Sequence, residues 1–139
     1  MPVLLFMLIH IFNFGFSKKG FETIRPQVSC CEQTKAVHNL MQRNIPEEFH
    51  PYFVLEVVED CDAYIENHFM RIQSHALETG LTIIEISGNS GVSVAYGLNY
   101  YLKYFTNSQI TWDERRYSMN HPLQEVDLII QSLDQFRYF

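Results

Sequence analysis

The sequence predicts a small α+β domain, with a sheet of about four strands and two main helices packed on one face. Two observations lead to this prediction. Apolar residues recur three and four positions apart in two segments, which is typical of helices, and alternate with polar residues in four others, which is typical of strands. The resulting order is helix, strand, strand, strand, helix, strand. The chain has 139 residues, which is enough for one ordinary domain.

The first helix is predicted over residues 32–44, and Pro46 ends it because proline cannot continue the helical hydrogen bonds. Four apolar residues lie on one side of this helix: Ala36, Val37, Leu40 and Met41. Three strands are predicted to follow, at 53–58, 68–73 and 81–87, each with alternating side chains.

The second helix is the clearest element of the chain. It follows Gly88-Asn89-Ser90-Gly91, where Asn89 or Ser90 can cap the first turn. Its apolar residues repeat at three and four: Val94, Ala95, Leu98, Tyr101, Leu102 and Phe105. Gly97 lies within this helix, where glycine costs about 1 kcal/mol relative to alanine. We therefore expect the helix to approach the sheet closely at Gly97. A last strand is predicted over 108–112.

Composition and charge narrow the classes of function. Hydrophobic residues make up 47% of the chain, with 11 Phe and 8 Tyr, which is typical of a globular protein rather than a disordered one. The formal net charge is −6 and the basic residues are scattered, so a nucleic-acid partner is not expected. A chain of this size can bury a core, but it leaves little material for an enclosed active site.

Residues 1–17 are predicted to be a signal peptide. An apolar run extends over 3–16, and Gly15 and Ser17 are small residues at the two positions that signal peptidase recognises. The run has about 14 residues, whereas a membrane-spanning helix needs roughly 20, so no stable membrane span is expected after removal of the leader. The alternative is a buried or membrane-lying N-terminal helix. Residues 18–31 are predicted to be an irregular lead-in.

Passage through the secretory pathway exposes cysteines to an oxidising compartment. The chain has three cysteines, Cys30, Cys31 and Cys61, so one of them stays unpaired within a monomer. The sequence leaves open whether Cys30 or Cys31 bonds to Cys61.

No catalytic, metal-binding or cofactor-binding residue is predicted. Glu56 and Glu85 are candidates for the paired carboxylates of a glycosidase, but both are expected on the solvated face of the sheet. Cys61, His68 and His75 are seven positions apart, whereas structural zinc sites use closely spaced pairs. The Gly88–Gly91 segment lacks the third glycine and the lysine of a phosphate loop, so a capped helix start is preferred.

Tyrosines form a second stripe on the predicted second helix. Tyr96, Tyr100 and Tyr104 are four positions apart and lie away from the core side. Such a stripe is typical of packing against a neighbouring domain, and the alternative is a platform on which sugar rings stack. Three further aromatic residues are candidates for the same interface: Trp112, Phe136 and Tyr138.

The segment 84–105 closely resembles the N-terminal domain of α-N-acetylglucosaminidases. In that family a strand leads to Gly-x-x-Gly-Val, then to an alanine-rich helix with Gly-Leu and Tyr-Leu, and then to a strand that ends in Trp. The matching positions here are Gly88, Gly91-Val92, Gly97-Leu98, Tyr101-Leu102 and Trp112. The resemblance covers roughly residues 32–112.

The resemblance implies that 32–112 form the N-terminal-like α/β domain and that 113–139 are a linker and the start of a missing catalytic domain. Arg137-Tyr138-Phe139 resembles the aromatic stretch with which the family's barrel domain opens. The catalytic glutamates of the family lie in that barrel, so this chain is expected to be inactive alone, with the barrel as its partner in the same polypeptide.

The resemblance also implies a biological context. The full enzyme would remove terminal α-linked N-acetylglucosamine from heparan sulfate, and the chain would be lysosomal or extracellular. The alternative function is a free-standing secreted carbohydrate-binding module.

Overall fold

A computed structural model describes residues 28–58, 68–111 and 113–132 of the chain. The predicted leader, Cys61, Trp112, Phe136 and Tyr138 lie outside these residues. The described elements, in chain order, are helix α1 (Cys30–Asn44), a 3₁₀ helix (Glu47–Tyr52), strands β1 (Phe53–Val57), β2 (His68–Ala76) and β3 (Thr82–Gly88), helix α2 (Gly91–Phe105), and strands β4 (Gln109–Ile110), β5 (Arg115–Arg116) and β6 (Asp127–Ser132).

Four of the strands form one mixed sheet in the order β1-β3-β2-β6. Strand β1 runs parallel to β3, and β2 runs antiparallel to both β3 and β6. Helices α1 and α2 pack on the same face of this sheet and contact each other. The α+β class with two main helices is therefore confirmed.

The core lies between the helices and one face of the sheet. Along β1, and along β3 as far as Ile86, the buried side chains alternate with exposed or half-buried ones, so each strand presents one apolar face to the helices. Helix α1 begins with a capping box, in which the Ser29 hydroxyl accepts from the Glu32 amide and the Glu32 carboxylate accepts from the Ser29 amide.

Gly97 marks the closest approach of α2 to the sheet, as expected. A Cβ atom at this position would lie 2.7 Å from Cγ2 of Ile86 and 3.1 Å from Sδ of Met70. Because Ile86 belongs to β3 and Met70 to β2, the glycine allows the helix to pack directly on the two central strands.

The fourth strand of the sheet is not the predicted one. Residues 108–112 were expected to supply it, but Gln109–Ile110 pairs with Arg115–Arg116 in a separate two-stranded sheet. The sheet is completed by β6, a segment assigned from sequence to the linker and the next domain. Val126 donates to the Ser74 hydroxyl and accepts from the Ser74 amide, which starts the β6–β2 pairing.

Helix α1 lies along the outer edge of β1, the side that has no strand neighbour in the described sheet. The Thr34 hydroxyl accepts from the Val57 amide at 3.0 Å, and Nε2 of His38 donates to the Leu55 carbonyl at 3.1 Å. Two backbone groups at this edge are thus satisfied by helix side chains. Within the described ranges, no helix is long and apolar enough to cross a membrane.

Candidate domain-interface site

The start of α2 is fixed by protein groups. Ser90 is the N-cap, and its hydroxyl accepts from the Ser93 amide at 3.1 Å. The Gly91 amide donates to Oε1 of Gln33 on α1 at 2.9 Å. The sequence allowed either Asn89 or Ser90 as the cap, and the structure shows that it is Ser90. Because side chains already accept from these two amides, the segment acts as a helix start that ties α2 to α1.

Tyr101 belongs to the core side of α2 and anchors the helix. Its side chain is fully buried, and its hydroxyl donates to the Gln124 carbonyl at 2.9 Å. Its ring stacks on Phe105 with centroids 5.5 Å apart and meets the edge of Phe53 at 5.8 Å. Burial raises the pKa of Tyr101 well above its usual range, so the side chain stays neutral.

The predicted tyrosine stripe lies on the outer part of α2. Tyr96 and Tyr100 are half-buried against the core, whereas Tyr104 is 61% exposed. The ring centroids of Tyr96 and Tyr100 are 6.2 Å apart, and those of Tyr100 and Tyr104 are 4.5 Å apart. Nζ of Lys103 lies 5.2 Å from the Tyr104 ring. The stripe is thus a continuous aromatic surface that ends in an exposed ring beside a cation.

The rings of the stripe do not share a plane. Tyr96 and Tyr100 are inclined by 49° to each other, and Tyr100 and Tyr104 by 47°. A sugar stacks on a flat aromatic face, whereas a packing seam needs only apolar area and close fit. The three rings therefore do not form one flat platform.

A groove of about 440 Å³ lies between the two helices. Its lining is almost entirely apolar and comes from α1, α2 and β4, including Leu40, Ile45, Val92, Tyr96, Leu102 and Ile110. Tyr96 thus joins the groove to the tyrosine stripe. Leu40 and Val92 are 37% and 55% exposed, and the sequence had not predicted either of them as part of an exposed surface. Val92 precedes Tyr96 by four positions, so the helical spacing could have placed it on the same side of α2 as Tyr96, the first residue of the tyrosine stripe.

The candidate carboxylates lie elsewhere. Glu56 and Glu85 are on the sheet face opposite the helices, as predicted, and Glu56 is exposed. Oε2 of Glu85 lies 3.0 Å from Nε2 of His75 on the neighbouring strand. Neither carboxylate lines the groove.

The cysteines and histidines were also considered as ligands. Cys30 is disulfide-bonded, and Cys31 is an exposed free thiol. Across residues 28–58, 68–111 and 113–132, no group of three His, Cys, Asp or Glu side chains is placed to hold a metal ion.

The described part of the site is therefore an apolar helical surface. It brings together Tyr96, Tyr100 and Tyr104 as a stripe and joins them to the groove. Trp112, Phe136 and Tyr138 fall outside the described residues, so their place in the interface remains a prediction.

Comparison with known proteins identifies the family. Residues 35–123 match the Alpha-N-acetylglucosaminidase (NAGLU) N-terminal domain. Because this match covers more than half of the chain, the chain belongs to that family. None of the curated proteins matches it closely enough to count as a relative.

Solved structures with a similar fold are glycosidases. A family 89 glycoside hydrolase from Clostridium perfringens, in complex with 2-acetamido-1,2-dideoxynojirmycin, is 25% identical with a TM-score of 0.57, over 73% of this chain. The complexes with PUGNAc and, for a variant with two glutamates replaced by glutamine, with its substrate GlcNAc-alpha-1,4-galactose are also 25% identical, with TM-scores of 0.55 over 72% of this chain. The chain spans only 11% of each of these proteins.

Proposed function

We propose that this chain is the non-catalytic N-terminal accessory domain of an α-N-acetylglucosaminidase-like glycosidase and that its helical face packs on the catalytic domain of the same polypeptide. The continuous apolar surface of the groove and the tyrosine stripe carries this proposal. Contiguous exposed apolar surfaces commonly mark sites of contact with another protein surface. In the matched glycosidases, a domain of this fold makes up about a tenth of the chain.

The context of the enzyme is part of the same proposal. The full protein removes terminal α-linked N-acetylglucosamine from heparan sulfate, in the lysosome or outside the cell. The disulfide at Cys30 supports this route, because disulfides persist in oxidising compartments. So does the apolar run that precedes Ser17.

The route can be tested by sequencing the N-terminus of the secreted product. We expect it to begin at Lys18, after cleavage behind Ser17. A secreted or intracellular product that retains residues 1–17 would contradict the prediction of a cleaved signal peptide.

Inactivity of the isolated chain is tested with an α-linked chromogenic N-acetylglucosaminide. We expect no release above the uncatalysed rate, with the Clostridium perfringens enzyme as positive control, because Glu56 and Glu85 lie on an open sheet face outside the groove. Release that is lost in Glu56→Gln or Glu85→Gln would show that the chain is an enzyme itself.

A carbohydrate-binding module is the second candidate, and the exposed ring of Tyr104 favours it. The tilt between neighbouring rings and the apolar lining of the groove weigh against it, because sugars also need hydrogen-bonding partners. Calorimetric titration with heparan sulfate oligosaccharides is expected to give no saturable heat. Saturable binding that Tyr104→Ala abolishes would favour this second candidate.

A further inference from the structure

The helical layer does not cover the four-stranded sheet evenly. Helix α1 is bonded to the outer edge of β1 through Thr34 and His38, and α2 rests on the two central strands, β2 and β3. A helix with its side chains is about 10 Å wide and neighbouring strands are about 4.8 Å apart. Two helices therefore cover about four strands only when they are centred. Here they are displaced towards β1, and β6 lies beyond the flank of α2.

The flank of α2 that faces β6 is aromatic. Val92 and Asn99 line the groove with α1, so they mark the opposite flank. At 100° per residue, Tyr100 and Tyr104 lie on the side of α2 that points away from α1, which is the side towards β6 in the strand order. On that side of the sheet, Leu128 and Ile130 of β6 face the helical layer and are only half-buried. We name the surface formed by Tyr100, Tyr104, Leu128 and Ile130 the β6 step.

The outer edges of β6 and β1 differ in their hydrogen bonding. In the part of the chain that the structure describes, β6 pairs with β2 alone, and no helix side chain bonds its other edge. The strand Asp127–Ser132 also lacks the lysine or proline that commonly protects an exposed edge. The β6 step therefore adjoins an open strand edge.

We propose that the catalytic domain of the same polypeptide packs an apolar helix into the β6 step. This inference rests on the proposed function and names the surface that performs it. The step has one aromatic wall and an apolar strand floor, which suits the apolar side of an amphipathic helix.

Continuity of the chain favours the catalytic domain as the occupant. The domain is a tenth of the matched glycosidases, and β6 is its last described element. The chain that leaves β6 starts beside the step, which raises the local concentration of whatever follows.

The opposite sheet face is a poorer docking surface. It carries charged side chains on every strand: Glu56, Arg71, Glu85 and Asp127. Charged residues are depleted in the cores of interfaces, because burying them without partners is unfavourable.

The test uses this chain alone and fused in place of the matching N-terminal segment of the Clostridium perfringens family 89 glycoside hydrolase. Hydroxyl-radical labelling is read by mass spectrometry at three positions. These are Tyr104, Val92 in the groove, which is 55% exposed, and Val54 on the opposite sheet face, which is 44% exposed. We expect labelling of Tyr104 to fall several-fold in the fusion and labelling of Val54 to stay unchanged. Tyr104→Glu should restore the labelling of Tyr100 in the fusion, whereas Val54→Glu should not.

The outcomes separate the inference from the proposed function. Protection of Val92 without protection of Tyr104 overturns the β6 step and leaves docking of the helical face intact. Protection of Val54 alone overturns both, because Val54 lies on the opposite sheet face. No protection at any of the three overturns both. An isolated chain that forms a dimer, dissociated by Tyr104→Glu in sedimentation velocity, assigns the step to a second copy and overturns the inference. Each variant is checked for an unchanged circular dichroism spectrum as the isolated chain.

Discussion

The two sides of the sheet are completed in different ways. On the β1 side, α1 supplies hydrogen bonds to the strand edge and buries Val37 and Met41 against the sheet. On the β6 side, Leu128 and Ile130 are only half-buried, and Ile129 is 57% exposed on the opposite face. The same sheet thus has one side that is packed within the domain and one that is left partly open.

The difference shows how an accessory domain can be stable and still present a docking surface. Stability comes from the β1 side and the two central strands, where burial is nearly complete. Because the β6 side contributes less burial, its apolar residues remain available to another surface. Substitutions on the β1 side should therefore lower the free energy of unfolding of the isolated chain, and those on the β6 side should mainly affect docking.

The largest expected effect concerns the disulfide at the start of α1. Cys30→Ser removes the cross-link and should lower the free energy of unfolding by about 2–4 kcal/mol, because the unfolded chain regains entropy. Cys31→Ser is the matched control and should be neutral, since Cys31 is an exposed free thiol in the same turn. Urea denaturation under oxidising conditions measures both. Equal stability of the two variants would show that the disulfide does not stabilise the β1 side.

The next largest effect concerns the centre of the sheet. In Gly97→Ala the new Cβ would lie 2.7 Å from Ile86, which belongs to β3. Overpacking costs about 1–3 kcal/mol, and the better helix propensity of alanine returns about 1 kcal/mol, so we expect a net loss of up to roughly 2 kcal/mol.

Gly91→Ala is the control in the same helix. Its Cβ would make ordinary contacts, the nearest at 3.4 Å to Gln33. Thermal unfolding of both variants should therefore show a lower midpoint for Gly97→Ala alone. An unchanged midpoint would mean that α2 can move away from the strands without cost.

The elements that could be predicted from sequence are those with local signals. Helix α2 has a cap, a continuous apolar stripe and an interior glycine, and all three are consistent with a helix packed closely on the sheet. Strand β1 alternates between buried and exposed side chains, and β3 alternates between buried and half-buried ones as far as Ile86.

Strand β6 and the groove depend on non-local contacts. The pairing of β6 starts between Ser74 and Val126, 52 residues apart, and its run Leu128-Ile129-Ile130 has no alternation to mark a strand. The groove exists only because α1 and α2 lie side by side. The periodicity of one segment does not show which other segment packs beside it. The tyrosine stripe lies within one helix, so the sequence could predict it.

The smallest expected effect isolates the edge bond on the β1 side. Thr34→Val keeps the shape of the side chain but removes the hydroxyl that accepts from the Val57 amide. Leaving this half-buried amide unpaired should lower the free energy of unfolding by about 1 kcal/mol. Thr34→Ser keeps the acceptor and should retain most of the stability, and urea denaturation compares the two. If Thr34→Val matches the parent chain, water satisfies the Val57 amide equally well, and the two strand edges differ in packing but not in hydrogen bonding.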